Sequence, residues 1–269
     1  MKKYFQKTLI CIITVSAALG RISAQNTKDT VAVHEPLQDS IPAAGIQKNK
    51  LNYKTLIIPA ALIGYGVAGL AMDNLKNLNS STRTEINEHQ PARIKLDNYT
   101  QYAPAAMVYG FNAIGIKGKH NLRDRTIIYA SSQLIVAAFT MPLKYIVKEE
   151  RPDGSNTLSF PSGHSATAFS SAQFMFREYK DTHFWLSLSG YPLAIFTAVY
   201  RMLNDKHWLG DVVAGAGFGI LSTELAYWLF PRIDTLLLGK NKPKNALTST
   251  MVMPFYQNKT VGIGIVKTF

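Results

Sequence analysis

Long apolar runs separated by short charged ones leave a chain few ways to fold in water. Residues 55–72, 99–116, 126–143, 184–200 and 212–230 are runs of this kind, and among them only the last carries a charged side chain, Glu224. A helix of about 20 residues spans the ~30 Å hydrocarbon layer of a bilayer, so each run is a candidate membrane helix. The segment SATAFSSAQFMF between His164 and Arg177 is a sixth, short unless it extends back through the residues before it. Charged residues make up 17% of the chain against 47% hydrophobic, which is lean in charge for a soluble domain. The expected fold is all-α: a membrane-associated helical bundle of about six helices. The run 99–116 is the weakest, holding Thr100, Gln101, Pro104 and Asn112, and the mean hydropathy of the chain is +0.00. A bundle lying on the membrane is therefore the alternative.

The flanks have their own character. Lys2, Lys3 and Lys7 precede a short apolar stretch and a small residue, Ala24, so residues 1–24 read as a secretory signal peptide, with an uncleaved anchor as the alternative. Residues 25–53 are polar, hold Pro36 and Pro42, and read as a loose leader; residues 54–232 form the helical domain. Residues 233–269 form a tail whose last part alternates around a turn at Gln257-Asn258-Lys259, the pattern of a short β-hairpin. The single cysteine, Cys11, lies in the removable part, so disulfides, thiolate metal ligands and a cysteine nucleophile are excluded from the mature chain. A net charge of +12 suits an anionic partner. The cations form no aromatic-and-basic repeat, so the partner expected is anionic lipid at a membrane and not nucleic acid.

Three polar clusters sit where apolar runs end. They are Lys144 with Arg151-Pro152, then Pro161-Ser162-Gly163-His164, then Arg201 with His207 and Asp211. Singly, each has an ordinary explanation, since cations flanking a membrane helix anchor it to headgroups and a lone histidine is usually structural. Together they are the inventory needed to hold a tetrahedral dianion and pass its phosphoryl group to a ring nitrogen. Arg151 and Arg201 can each make paired, charge-assisted hydrogen bonds to phosphate oxygens, and Lys144 adds a point charge. Ser162 and Gly163 precede an apolar helix, so their backbone N–H groups and the Ser162 hydroxyl suit an anion at its N-terminus. His207 and Asp211 are four apart, on one face of a helix; the carboxylate can hold one ring proton and leave the other nitrogen to attack phosphorus. His164 remains to protonate the leaving alkoxide and then take a proton from water. Three cations can stand in for a metal ion, so no cofactor is expected.

These residues resemble the type 2 phosphatidic acid phosphatase superfamily, whose members include bacterial acid phosphatases and vanadium haloperoxidases. Its signature reads K-x6-R-P, P-S-G-H and S-R-x5-H-x3-D; here the three parts are Lys144 to Pro152, Pro161 to His164, and Arg201, His207 and Asp211. One position departs: Tyr200 stands where the serine before the arginine is usual, and an altered pocket wall is expected. The resemblance implies the same roles, with His207 as nucleophile, and the membrane branch, with its site on the exoplasmic side.

The function expected is a lipid phosphate phosphatase acting on phosphatidate, an isoprenoid diphosphate or a lipid A-like phosphate. The competing readings are a periplasmic acid phosphatase for soluble phosphomonoesters, a non-catalytic binder of lipid headgroups, and a haloperoxidase. Glu224 is expected to face the bundle interior, and Gly215, Gly217 and Gly219 to mark close helix packing. The location expected is the cell envelope, with the site facing the periplasm. Export of residues 25–53 and a crossing by every run would put the site in the cytoplasm. A surface-lying 99–116 run would restore a periplasmic site, and would leave Lys76, Arg83, Arg93, Lys95, Lys117, Lys119, Arg123 and Arg125 inside. An uncleaved leader kept inside, or a protein resting on the membrane, would do the same.

Overall fold

The computed structural model describes residues 53–88, 95–238, 250–257 and 260–267. The signal and leader expected at 1–53 lie outside these, Tyr53 apart. The described residues form the helices α1 (Lys54–Ala71), α2 (Asp73–Glu88), α3 (Asp97–Thr100), α4 (Ala103–Ala113), α5 (Leu122–Val147), α6 (Gly163–Tyr179), α7 (Phe184–Leu188), α8 (Gly190–Leu203) and α9 (Leu209–Leu238). Two strands, β1 (Thr250–Gln257) and β2 (Thr260–Lys267), pair antiparallel with Thr250 opposite Lys267.

Among the described residues three helices are long and apolar enough to cross a membrane: α1, α5 and α9. The runs 99–116 and 184–200 are not single spans, and proline is the reason. Pro104 has no N–H to give the carbonyl of Thr100, so α3 ends there and α4 starts with proline in its first turn. Pro192 likewise cannot donate to Leu188, where α7 stops. At 11 and 14 residues, α4 and α8 are about 16 and 21 Å long. The sixth segment does extend back, to Gly163, with Ser162 as its N-cap. In the other direction α9 passes the expected boundary at 232 and runs through Pro231 to Leu238.

The order of contacts gives each helix a direction. Asn98 of α3 touches His164 at the start of α6, whereas Asn112 of α4 touches Tyr179 at its end. The run 99–116 therefore traverses the bundle alongside α6, which overturns the expectation that it could lie along the surface. The cations between 73 and 125 divide accordingly. Arg83 reaches the end where α6 begins, and Arg125 lies with Glu178 at the end where it stops.

Of these three long apolar helices α9 is the most buried, while α1 and α5 expose apolar side chains such as Ile57, Ile58, Leu134 and Met141 outward. Glycines set how closely α9 is approached. A Cβ at Gly219 would lie 2.2 Å from the Ala166 carbonyl oxygen, one at Gly215 2.5 Å from that of Ser162, and one at Gly217 2.8 Å from that of Pro59. The expected close packing is thus present on two sides, with α6 against Gly215 and Gly219 and α1 against Gly217.

A contrast of two glycines tests this. Alanine is favoured over glycine in a helix by about 1 kcal/mol, and a Cβ at Gly64 meets nothing within 4 Å. Gly64→Ala should therefore leave the melting temperature in detergent unchanged or raise it. Gly219→Ala should lower it, by the equivalent of about 1–3 kcal/mol of overpacking. Equal melting temperatures would contradict the packing.

Candidate active site

The three motifs meet at one end of the bundle. The last turn of α5 supplies Lys144, and the following loop carries Arg151 before entering α6 at Ser162, Gly163 and His164. Arg201 lies near the end of α8, His207 in the turn before α9, and Asp211 in the first turn of α9. Their proximity shows in the electrostatics of His207. Its pKa is lowered well below 6.5, first by burial and then by the charges of Arg201, Lys144 and Arg151 and by His164.

The loops holding these groups are bound to one another. Asp153 N–H donates to Asp205 O at 3.1 Å, Lys206 pairs with the Asp153 carboxylate, and the Trp208 indole donates to Glu150 O at 2.8 Å. Helix α2 braces the third motif from outside. Arg83 grips both oxygens of Asp205 at 2.8 and 2.9 Å, and Asn79 Oδ1 accepts from Gly210 N at 3.0 Å. The bidentate grip falls on a residue in the left-handed region, Asp205 at φ 58°. The second and third motifs are joined directly, because Ser162 N donates to Asp211 O at 3.0 Å.

The cations are not equivalent. Lys144 places its Nζ on the carbonyl oxygens of Leu158, Ser159 and Pro161 at 2.8, 3.2 and 2.7 Å. An ammonium has three donors, so in this state Lys144 holds the loop before α6 and contributes its charge at a distance. Arg201 donates from Nη1 to Asp97 Oδ2 at 2.7 Å, with Asn204 on the other oxygen at 3.3 Å. The Nε atoms of Arg151 and Arg201 are buried with no acceptor. Burial, and then the charge of Arg201, lower the Arg151 pKa from 12.5.

The histidines differ from the simple expectation. His207 precedes α9 and is not on it, and its Nδ1 stands 3.7 Å from Asp211 Oδ2, too far for a hydrogen bond. Between them is Ser159, whose hydroxyl donates to Asp211 Oδ2 at 2.5 Å and lies 3.3 Å from His207 Nδ1. His164 Nε2 meets Asn98 Oδ1 at 2.8 Å. Its pKa is lowered to about 4, by burial first and then by Arg201, with Asp97 opposing. Ser162 is fully buried and its N–H is taken by Asp211, so that group does not face an anion as expected; Gly163, by contrast, opens onto free space. Tyr200 stacks on Phe196 with ring centroids 4.3 Å apart. Sequence reasoning missed Asp97, Asn98 and Ser159, although Ser159 stands only three residues before Ser162.

Residues 125–234 match the family model of the PAP2 superfamily. All three motifs, from Lys144 to Asp211, lie inside the matched stretch. The chain is 30% identical over 210 residues, 76% of its length, to a lipid A 1-phosphatase of Porphyromonas gingivalis, of which the match covers 45%. A lipid A 1-phosphatase of Helicobacter pylori is 38% identical over 77 residues, covering 28% of this chain and 38% of that protein. The chain thus spans less than half the length of these curated relatives. Among solved structures, a transmembrane PAP2 type phosphatidylglycerolphosphate phosphatase from Bacillus subtilis aligns with a TM-score of 0.42 at 19% identity, over 65% of this chain and 97% of that one.

The unequal cations make a stability prediction. Lys144→Met removes three charge-assisted hydrogen bonds and leaves three carbonyls without their donor, so it should destabilise the protein by about 2–4 kcal/mol. Arg151→Met removes a buried N–H that has no acceptor, so in anion-free buffer it should be neutral or stabilising. It should also abolish the rise in melting temperature that added phosphate gives the unsubstituted protein. Thermal unfolding of both variants with and without phosphate checks the pair, and a destabilised Arg151→Met would count against the assignment.

Proposed function

We propose that this chain is a membrane phosphatase that hydrolyses a lipid-linked phosphomonoester or diphosphate through a phosphohistidine on His207. The observation that carries the reading is the pair of buried guanidinium N–H groups, on Arg151 and Arg201, that lack an acceptor beside a buried neutral histidine. A buried donor without a partner costs about 1–3 kcal/mol, more when charged. A phosphate oxygen is the acceptor that matches guanidinium geometry. Lipid A-like phosphate leads the substrate classes, because the relatives named above act on lipid A; phosphatidate and isoprenoid diphosphates follow.

The steps use this chain's own groups. His207 Nδ1 faces the Ser159 hydroxyl, so Nε2 is the nitrogen left to attack phosphorus. As the N–P bond forms, the bond to the lipid oxygen breaks and His164 gives that oxygen a proton. Water then attacks phosphorus, His164 takes its proton, and His207 leaves. With its pKa near 4, His164 is neutral at pH 7. A bound phosphate dianion opposes the pull of Arg201, Lys144 and Arg151 and so raises His164 into the range of a proton donor. Among the described residues no three His, Cys, Asp or Glu side chains are grouped to hold a metal ion. Charge stabilisation in this reading falls to Lys144, Arg151 and Arg201.

Assays on purified protein test the mechanism. Phosphate release from lipid A or phosphatidate should survive chelator and fall with micromolar vanadate, which mimics five-coordinate phosphorus. His207→Asn should lose all turnover. His164→Asn should keep more activity on p-nitrophenyl phosphate, whose leaving group scarcely needs a proton, than on a lipid phosphate. Loss with chelator restored by magnesium, or equal losses on both substrates in His164→Asn, would sink this reading.

The site is proposed to face the periplasm. Gly66 packs on Gly210 and Ala214 near the start of α9, whereas Pro59 lies beside Gly217, so α1 runs towards the site, as α5 does. Lys54 then belongs to the opposite face. In a bundle that crosses the membrane, an exported leader and a periplasmic site exclude each other, and the leader-inside route remains. In a Cys11→Ser background, Ser155→Cys beside the first motif should react with an impermeant thiol reagent on cells with a permeabilised outer membrane. Lys117→Cys at the other end should react only after lysis. The reverse pattern would place the site in the cytoplasm.

A further inference from the structure

We propose that Ser159 is a positioning residue for this reaction: its hydroxyl carries the hydrogen bond from the His207 ring to the Asp211 carboxylate, and so fixes which ring nitrogen meets the phosphate. The proposal rests on the phosphohistidine reading above and gives a residue outside the three motifs a defined part in it.

The hydrogen bonds fix the direction of donation. Asp211 Oδ2 accepts from Ser159 Oγ at 2.5 Å and from Trp208 N at 2.9 Å, as an ionised carboxylate oxygen does. A serine hydroxyl has one hydrogen, and this one is spent on Asp211. What Ser159 Oγ offers His207 Nδ1, 3.3 Å away, is a lone pair, so Nδ1 must carry the ring proton. Nε2 is left with its lone pair free for phosphorus. The direct Nδ1–Oδ2 separation of 3.7 Å leaves no competing bond.

Ser159 is held for this task on every side. Its N–H donates to Glu149 O at 2.9 Å, its carbonyl accepts from Lys144 at 3.2 Å, and it is 0% exposed. No water can compete for the hydroxyl. Through Lys144, Ser159, His207 and Asp211 the first and third motifs are joined by one residue that belongs to neither. When Nε2 bonds to phosphorus the ring gains positive charge, Nδ1–H becomes a stronger donor, and the hydroxyl passes that demand to the carboxylate. No proton leaves the ring, and no bond other than these hydrogen bonds is remade.

The test is a double-mutant cycle with a spectroscopic arm. On p-nitrophenyl phosphate, Ser159→Ala should lower kcat about 100-fold, less than the ~10⁴-fold loss from a wrong tautomer in a serine-protease triad. KM should stay within about two-fold. If the hydroxyl is the link, Ser159→Ala with Asp211→Asn should lose no more than the worse single variant. Additive losses, or an unchanged kcat in a folded Ser159→Ala, overturn the proposal. Retained stabilisation by vanadate shows that Ser159→Ala keeps the anion pocket. In the unsubstituted protein, ¹⁵N spectra of the histidine rings, assigned with His207→Asn, should show the Nδ1–H tautomer, and Ser159→Ala should give a mixture. An Nε2–H ring in the unsubstituted protein overturns the proposal even if Ser159→Ala fails to fold. Absence of phosphate release from every substrate would defeat the phosphatase reading, while the ring spectra would still decide the role of Ser159.

Discussion

Like charge confined in a partly buried pocket is the constraint on which this end of the molecule depends. Two unit charges 5 Å apart at an effective dielectric near 20 repel by about 3 kcal/mol, and Lys144, Arg151 and Arg201 each feel one another here. The chain offsets this unevenly. Asp97 neutralises Arg201, three carbonyls receive Lys144, and Asp211 lies close to both Lys144 and Arg151. What is left over is two guanidinium N–H groups with no acceptor. An anion that accepted from both groups would offset that cost, which is how a protein exchanges stability for affinity.

Holding such a pocket together requires backbone contacts that side chains alone could not supply. The Ser162 N–H reaches the Asp211 carbonyl because Gly215, one turn further along α9, lets the start of α6 come within van der Waals range. A methyl group at that point would strike Ser162 O, the acceptor that closes the first turn of α6. The glycines of α9 are therefore part of the site's geometry, although none touches the phosphate position. The Asp205 turn shows the same dependence, since its left-handed residue is held by an arginine from α2 and by the loop that follows α5.

The motif residues were legible because their chemistry and spacing recur along one stretch of chain, 144–211, and the number of apolar runs gave the bundle. The second layer was not. Asp97 and Asn98 sit in a four-residue helix, 104 residues before Arg201 and 66 before His164, and meet them only through the fold. No local spacing announces such a pair. Ser159 reads as one serine in a loop, and its meaning lies in the missing angstrom between His207 and Asp211. The helix breaks at Thr100 and Leu188 had a visible cause in Pro104 and Pro192, four residues on, that hydropathy alone overrides. The surface-lying placement of 99–116 failed for a tertiary reason: Asn98 and Asn112 are tied to opposite ends of α6.

The length of α6 connects these ends to the membrane. Its 17 residues measure about 26 Å, slightly less than the hydrocarbon layer of about 30 Å. One end begins the anion pocket; the other holds a second polar cluster, in which Glu178 accepts from His120 and Tyr227 and Arg177 pairs with Glu224 at 2.8 Å. Glu224 is thus tethered in the interior, to Arg177 and to Gln173 at 2.6 Å, which meets the cost of a carboxylate inside an apolar helix. A helix polar at both ends and close to the layer's thickness has one comfortable placement in a crossing bundle, with each end at an interface. In that placement His164, at the first turn of α6, lies at the depth of lipid headgroups. In the function proposed above, a lipid phosphate would then reach His207 without its tails leaving the bilayer, and the membrane itself would present the scissile bond to the pocket.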